Sequence, residues 1–275
     1  MSNKLFTFHK IVAGCEEGSR EAWEAFLADY TPIVFQLSDV YFGFSPQKQN
    51  DFWRDALVQL STSNFETLKR FEHQAEREFL TDLRDFLLEQ GAEKLDPALD
   101  STETPRPTPE AVLGLLKGLP LLDQEVLFFK LCGYSDATIE KILVTTPAVA
   151  QKWLERLRTE YSPLLAGSDD RCVWPAAWAV VLRTARKAKT EGCPPLRHFV
   201  RIHEGGFQWH EKEPAEEHVT GCLHCLSRWT ALREIWHWRK QAKPRPADEI
   251  DALLSALPLR TETKARKTLF KRMFG

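Results

Sequence analysis

Hydrophobic residues along this chain recur at spacings of three and four, and alternation at period two is nearly absent. That pattern predicts an all-α fold. The first unit starts with a short helix over FHKIVAGCEEG, which ends near Gly14 or Gly18. Ser19 then caps a longer helix whose apolar stripe is Trp23, Phe26, Leu27 and Tyr30. Pro32 kinks or restarts it, and Ile33, Val34 and Leu37 continue the apolar side. Further helices are expected at about residues 47–60, 64–71 and 76–89.

The clearest local pattern lies in residues 116–158, read as three short helices joined by tight turns. Leu121, Val126, Leu127 and Leu131 give the first its apolar face, and Gly133 stops it. Ser135 or Asp136 caps the second, which carries Ile139, Ile142 and Leu143. After a turn at Val144 and Thr145, Thr146 caps a third helix with Pro147 at its first position, where a missing N–H costs nothing. That helix places Val149, Trp153, Leu154 and Leu157 on one side. Thr146, Gln151, Lys152, Glu155 and Arg156 fall on the other. Two helices, a tight turn and a buttressing helix make a helix-turn-helix; a three-helix bundle without any DNA role has the same pattern.

Between these units, residues 91–109 are polar, rich in Pro and Thr, and without periodicity, which reads as a tether. The chain therefore divides into a helical unit at 1–91, a linker at 92–109, a helix-turn-helix unit at 110–165 and a helical extension at 166–275. With 275 residues and 43% apolar content, it can bury a substantial core. Its formal net charge of −2 excludes a basic nucleic-acid coat. The charge is uneven: residues 1–90 hold nine Lys/Arg against fifteen Asp/Glu, a net of −6, which suits a protein partner. Residues 226–275 hold twelve against five, a net of +7, and end in a basic amphipathic helix with Leu269, Phe270, Met273 and Phe274 apolar. No apolar run approaches the ~20 residues of a membrane span, and no signal-peptide pattern opens the chain. Six unevenly placed cysteines do not suggest a disulfide scaffold, so a reduced, cytoplasmic protein without membrane contact is expected.

The extension carries the sharpest chemistry. His218, Cys222 and Cys225 stand in an H-x3-C-x2-C arrangement. On a continuous helix, offsets of four and seven put all three on one face, able to converge on Zn²⁺. A fourth ligand is required, with Cys193 preferred and His210 the alternative; buried thiols beside a chance histidine are the competing reading. Four protein ligands leave no open position for water, so the zinc would be structural. Trp229 and Trp236, seven apart, share a helix face and read as core. There is no P-loop, no GxSxG and no convincing acid/base constellation, and an enzyme is not expected.

The order of these parts resembles a bacterial RNA polymerase sigma factor of the small, extracytoplasmic-function type, over roughly residues 6–165. GCEEGSREAWEAFLADYTPIVFQL resembles the opening of the family's region 2, and KQNDFWRDALVQL its polymerase-clamp-binding helix. REFLTDLRDFLLE is similar to the helix that meets the promoter −10 element, and LPLLDQEVLFFKLCGYSDATIEKIL with VAQKWLERLR resembles region 4, whose last helix reads the −35 element. The resemblance implies core RNA polymerase and promoter DNA as partners, with an anti-sigma or other inhibitor as a further candidate. It places polymerase contacts at Asp51, Arg54 and Asp55, and DNA contacts at Thr146, Gln151, Lys152 and Arg156. The chain departs from the family where Arg54 and Asp55 replace the usual Gln-Glu, and where Phe79, Asp82 and Asp85 replace a Trp and basic or Asn residues. It departs again where Glu140 replaces a small residue and Val144 a turn glycine. The spacing from Cys193 to His218, Cys222 and Cys225 resembles a zinc-binding anti-sigma domain. These expectations define a sigma factor with a regulating or bracing extension, or else a sigma-like interaction protein that no longer opens DNA.

Overall fold

A computed structural model of the protein describes residues 7–71, 74–94, 116–144 and 177–259, with isolated positions between 114 and 159. Most of the linker, the basic tail, Thr146 and Arg156 lie outside the described residues. Among those described, every regular element is helical and no strand occurs, as the hydrophobic spacing requires.

The first unit begins with α1 (Phe8–Glu16) and α2 (Arg20–Phe42). Gly18 turns the chain at φ 77°, and the Ser19 hydroxyl oxygen accepts the Ala22 N–H at 3.4 Å. The helices lie close because Gly14 has no side chain where it meets Ala22. Trp23 fixes their angle by donating its indole N–H to the Cys15 carbonyl at 3.1 Å. Pro32 does not restart α2, which runs on as one helix to Gly43. α3 (Pro46–Ser61) follows with Pro at its start, and Trp53 donates to the Thr31 hydroxyl at 3.0 Å.

The helix expected at 64–71 is largely absent. Ser63, Asn64 and Phe65 take left-handed φ values of 51°, 58° and 61°, which breaks the register. A 3₁₀ turn, Ser63–Phe65, leads into the short α4 (Glu66–Lys69). α5 (Glu76–Lys94) runs beyond the expected end, because Gly91 allows the backbone to pass against the Phe42 ring. Phe26, Tyr30, Trp53, Phe71 and Phe79 form an aromatic centre between α2, α3 and α5.

α6 (Leu121–Leu131) and α7 (Asp136–Leu143) are the first two helices of the expected helix-turn-helix, with Gly133 at φ 87° between them. Ile139, Ile142 and Leu143 are buried as the pattern requires. Lys130, also buried, donates to Asp136 at 2.6 Å and ties the two helices together. The extension supplies α8 (Ala177–Lys187), α9 (Leu196–His203), α10 (Trp209–Gly221), α11 (Leu223–Gln241) and α12 (Ala247–Ser255).

One element organises the described residues. α11 packs against α2 and α5 of the first unit, against α6 and α7, and against α8, α9 and α10 of its own segment. It is buried on nearly every side, from Leu223 through Trp229 to Trp238. Trp229 is core, but Trp236 is 43% exposed. Its ring is covered by the Arg77 guanidinium at 4.5 Å and the Lys240 ammonium at 4.7 Å, because at this turn α11 emerges beside the start of α5. Trp238 takes the core position instead, edge-on to Tyr41.

Candidate metal centre

The four residues named from the sequence come together. Cys193, His218, Cys222 and Cys225 each offer a ligand atom, and these atoms lie within 4.8 Å of one another. Cys193 comes from the turn between α8 and α9, His218 from the last turn of α10, and Cys225 from the first turn of α11. His210 is exposed at the start of α10 and takes no part.

The cluster does not sit on one continuous helix. Cys222 is extended, at φ −132° and ψ 110°, and breaks the chain between α10 and α11. This break brings His218 and Cys225 toward each other from two helix ends. The Cys193 and Cys222 sulfurs are 3.7 Å apart, and all four thiol and imidazole groups are at least partly sheltered. The three cysteines are free thiols rather than disulfide partners.

Two features match a cation at the centre. The Nε2 of His218 is buried without a hydrogen-bond partner among the described residues, as expected of a nitrogen whose lone pair is left for a cation. Cys193 also departs from an ordinary thiol. Burial pushes it up, but hydrogen bonds, first from Thr190, outweigh this and hold it at about 6. The Thr190 N–H donates to its sulfur at 3.3 Å. Burial, reinforced by the neighbouring Cys222 and Cys193, pushes the Cys225 thiol up. Three thiols and an imidazole make a soft donor set that could hold a metal ion. Thr190 had no sequence signal of its own, since only the fold places it beside Cys193.

Immediately beyond the cluster, α11 carries a second constellation that sequence reasoning missed. Glu234 is completely buried and accepts from Tyr41, from Tyr134 at 2.6 Å and from the Arg84 Nε at 2.5 Å. Arg84 also reaches the Tyr41 hydroxyl at 2.8 Å and Asp85 at 2.9 Å. Burial pushes both tyrosine hydroxyls far up, so they act as donors. Nearly two turns earlier, Arg228 spans Asp82 at 2.7 Å and Asp85 at 2.9 Å. On the other side of α11, Trp229 and Arg233 donate to the buried Glu125 of α6 at 2.6 Å and 2.5 Å. Burial raises the Glu125 carboxyl, while Arg233 and Trp229 act against this. A polar seam thus joins α11 to α2, α5 and Tyr134 on one side and to α6 on the other.

The remaining sequence candidates stay apart. Asp51, Arg54 and Asp55 share an exposed face of α3, where Arg54 pairs with Asp51 at 3.3 Å and Asp55 is held by Lys94. Gln151 and Lys152 are helical and exposed, with Gln151 bonded to Glu155 at 3.2 Å. Asp82 and Asp85 do not lie open on α5, since Arg228 covers both. Among the described residues, no helix is long and apolar enough to cross a membrane. Comparison with known protein families, curated proteins and solved structures finds no match for this chain.

Proposed function

We propose that the chain is a sigma-type regulator of transcription initiation held in a closed arrangement by its own zinc-binding extension. The observation that carries this reading is α11. It packs at once on the helix that resembles the −10-binding element and on the two described helices of the helix-turn-helix, and joins both through ion pairs that are buried or partly buried. In an open sigma factor these two units sit on separate promoter elements of one polymerase. A helix wedged between them fixes their separation and covers the Asp82 and Asp85 face.

In this reading the units are the 1–91 and 110–165 segments, joined by the 92–109 linker, with the extension at 166–275. Asp51, Arg54 and Asp55 form the polymerase-facing patch. Thr146, Gln151, Lys152 and Arg156 read the −35 element. Zinc is the cation that three cysteines and one histidine favour, in the closed, four-ligand manner of structural sites. When bound, it supplies cross-linking of three chain segments and no chemistry at an open position.

A second reading, a sigma-like interaction protein without promoter melting, is favoured by the acidic character of the α5 face. Co-elution of the full chain with bacterial core RNA polymerase, followed by promoter-dependent transcription, separates the two. Binding and transcription that rise in an Arg228→Glu variant support the first reading. Binding without transcription in any variant supports the second. Failure of both the native chain and the variant to co-elute removes the first reading, and co-elution unchanged by reversing Arg54 and Asp55 together removes the polymerase-facing assignment of that patch.

A further inference from the structure

A cavity of about 410 Å³ opens where α5, the end of α7, α9 and α11 meet. That size falls within the ~300–1,000 Å³ of small-molecule sites. Its lining includes Arg77, Ile142, His203, Leu232, Arg233 and Trp236. The metal centre uses none of these residues, and the polar seam uses only Arg233.

Neither guanidinium is fully engaged. Arg233 gives its Nε to Glu125, and its terminal nitrogens have no acceptor among the described residues. Arg77 lies 3.6 Å from Glu204, makes no side-chain hydrogen bond among the described residues, and rests over the Trp236 ring. His203 contributes a buried Nε2 with no hydrogen-bond partner among the described residues. A buried polar atom left alone costs free energy, which a bonded ligand atom recovers. Ile142 and Leu232 provide an apolar wall, and the exposed Val144 and half-exposed Trp236 form the rim.

The charge around the cavity limits the ligand. Glu204 stands in the lining and Glu125 behind Arg233, so the two arginines are nearly balanced. A polyphosphate would face too little positive charge, whereas a single negative charge is matched by the free donor positions. A carboxylate also suits the planar fork of a guanidinium.

We infer that this cavity binds a small organic acid: a carboxylate held by Arg77, Arg233 and the Nε2–H of His203, with an apolar body against Ile142, Leu232 and Trp236. The ligand touches α5, α7, α9 and α11 together, so it joins segments far apart in sequence. The inference stands on the cavity alone and does not need the transcription reading, so the two can fail separately.

Calorimetric titration of the full chain with phenylacetate and with octanoate tests it, with inorganic phosphate as the comparison. Saturable binding of one carboxylate per chain is expected, weakened about tenfold by Arg77→Gln and again by Trp236→Ala. Amide exchange of the unaltered protein gives a second measure, with slowing expected at residues 196–204 and 229–236 in the presence of phenylacetate. The assignment is overturned if neither carboxylate binds saturably, or if phosphate binds as tightly as either. Protection confined elsewhere overturns it too, as does binding unchanged in both variants when these remain folded by circular dichroism.

Discussion

Glu234 shows how much one side chain can constrain here. It has no exposed surface and accepts from Tyr41, Tyr134 and Arg84, which come from three different helices or turns. Removing it leaves the fully buried Arg84 with Asp85 as its one anionic partner among the described residues. Glu234→Ala should therefore destabilise the protein by ~3–5 kcal/mol, the usual cost of breaking a buried pair from one side. Replacing both members, as Arg84→Met with Glu234→Leu, should cost much less, because no uncompensated charge remains. Urea unfolding of the two variants checks the contrast, and equal losses would show that packing rather than charge governs the site. His203 gives a residue-scale prediction about pH. Burial, then Arg233 and Arg77, lowers its pKa from 6.5 to about 3. Between these values the unfolded chain binds the proton and the folded one does not, so stability is full above pH 6.5 and falls as pH drops toward 3. The loss from this group reaches about 2 kcal/mol by pH 5. His203→Gln should flatten that limb of the stability curve, and an unchanged slope would assign the acid sensitivity to other groups.

At the scale of elements, the turn after α7 repeats the lesson in backbone terms. Val144 sits at φ 52° and ψ 45° and is 75% exposed, so a β-branched residue holds a left-handed position without burial to offset it. Such strain costs of order 1–3 kcal/mol, and glycine's extra unfolded-state freedom takes back roughly 0.5–1. Val144→Gly should thus raise stability by ~1 kcal/mol, readable as a higher thermal midpoint. Helix spacing made α1, α2, α3, α5, α6 and α7 legible, because each carries apolar residues at intervals of three and four. The cysteine cluster was legible as well, since thiol and imidazole spacing carries its own chemistry. Other features were not. The left-handed run at Ser63, Asn64 and Phe65 has no glycine to announce it. The extended Cys222 divides a stretch that is helix-compatible on both sides. α11 gave the least warning, because a helix buried all round has no polar face to reveal its partners. Its charged residues, Arg228, Arg233 and Glu234, resemble a solvated surface until Asp82, Asp85, Glu125 and Arg84 meet them.

Across the whole molecule, the metal centre and the polar seam are linked by their order along one helix. Cys222 precedes α11 and Cys225 lies in its first turn, while Arg228, Trp229, Arg233 and Glu234 follow within the next three turns. The cluster fixes where α11 begins, and therefore where each of those side chains falls against α5 and α6. From the sequence, metal removal would be expected to loosen residues of about 190–240 and spare the helix-turn-helix, which has an apolar core of its own. The packing of α11 on α6 and α7 changes that expectation. Structural zinc supplies ~10–16 kcal/mol in isolated finger peptides; if the cluster holds zinc here, a large shared core remains without it, so chelation should soften the fold rather than unfold it. The thermal midpoint should fall by several degrees, at ~2–4 °C per kcal/mol for a chain of this size. Amide exchange should quicken over α9 to α11 and also over α6, where Glu125 loses well-placed partners. Cys222→Ser and Cys225→Ser should show the same pattern without chelator and no further change with it. Exchange that quickens only between residues 190 and 225 would separate the cluster from the seam, and leave α11 held by its apolar contacts alone.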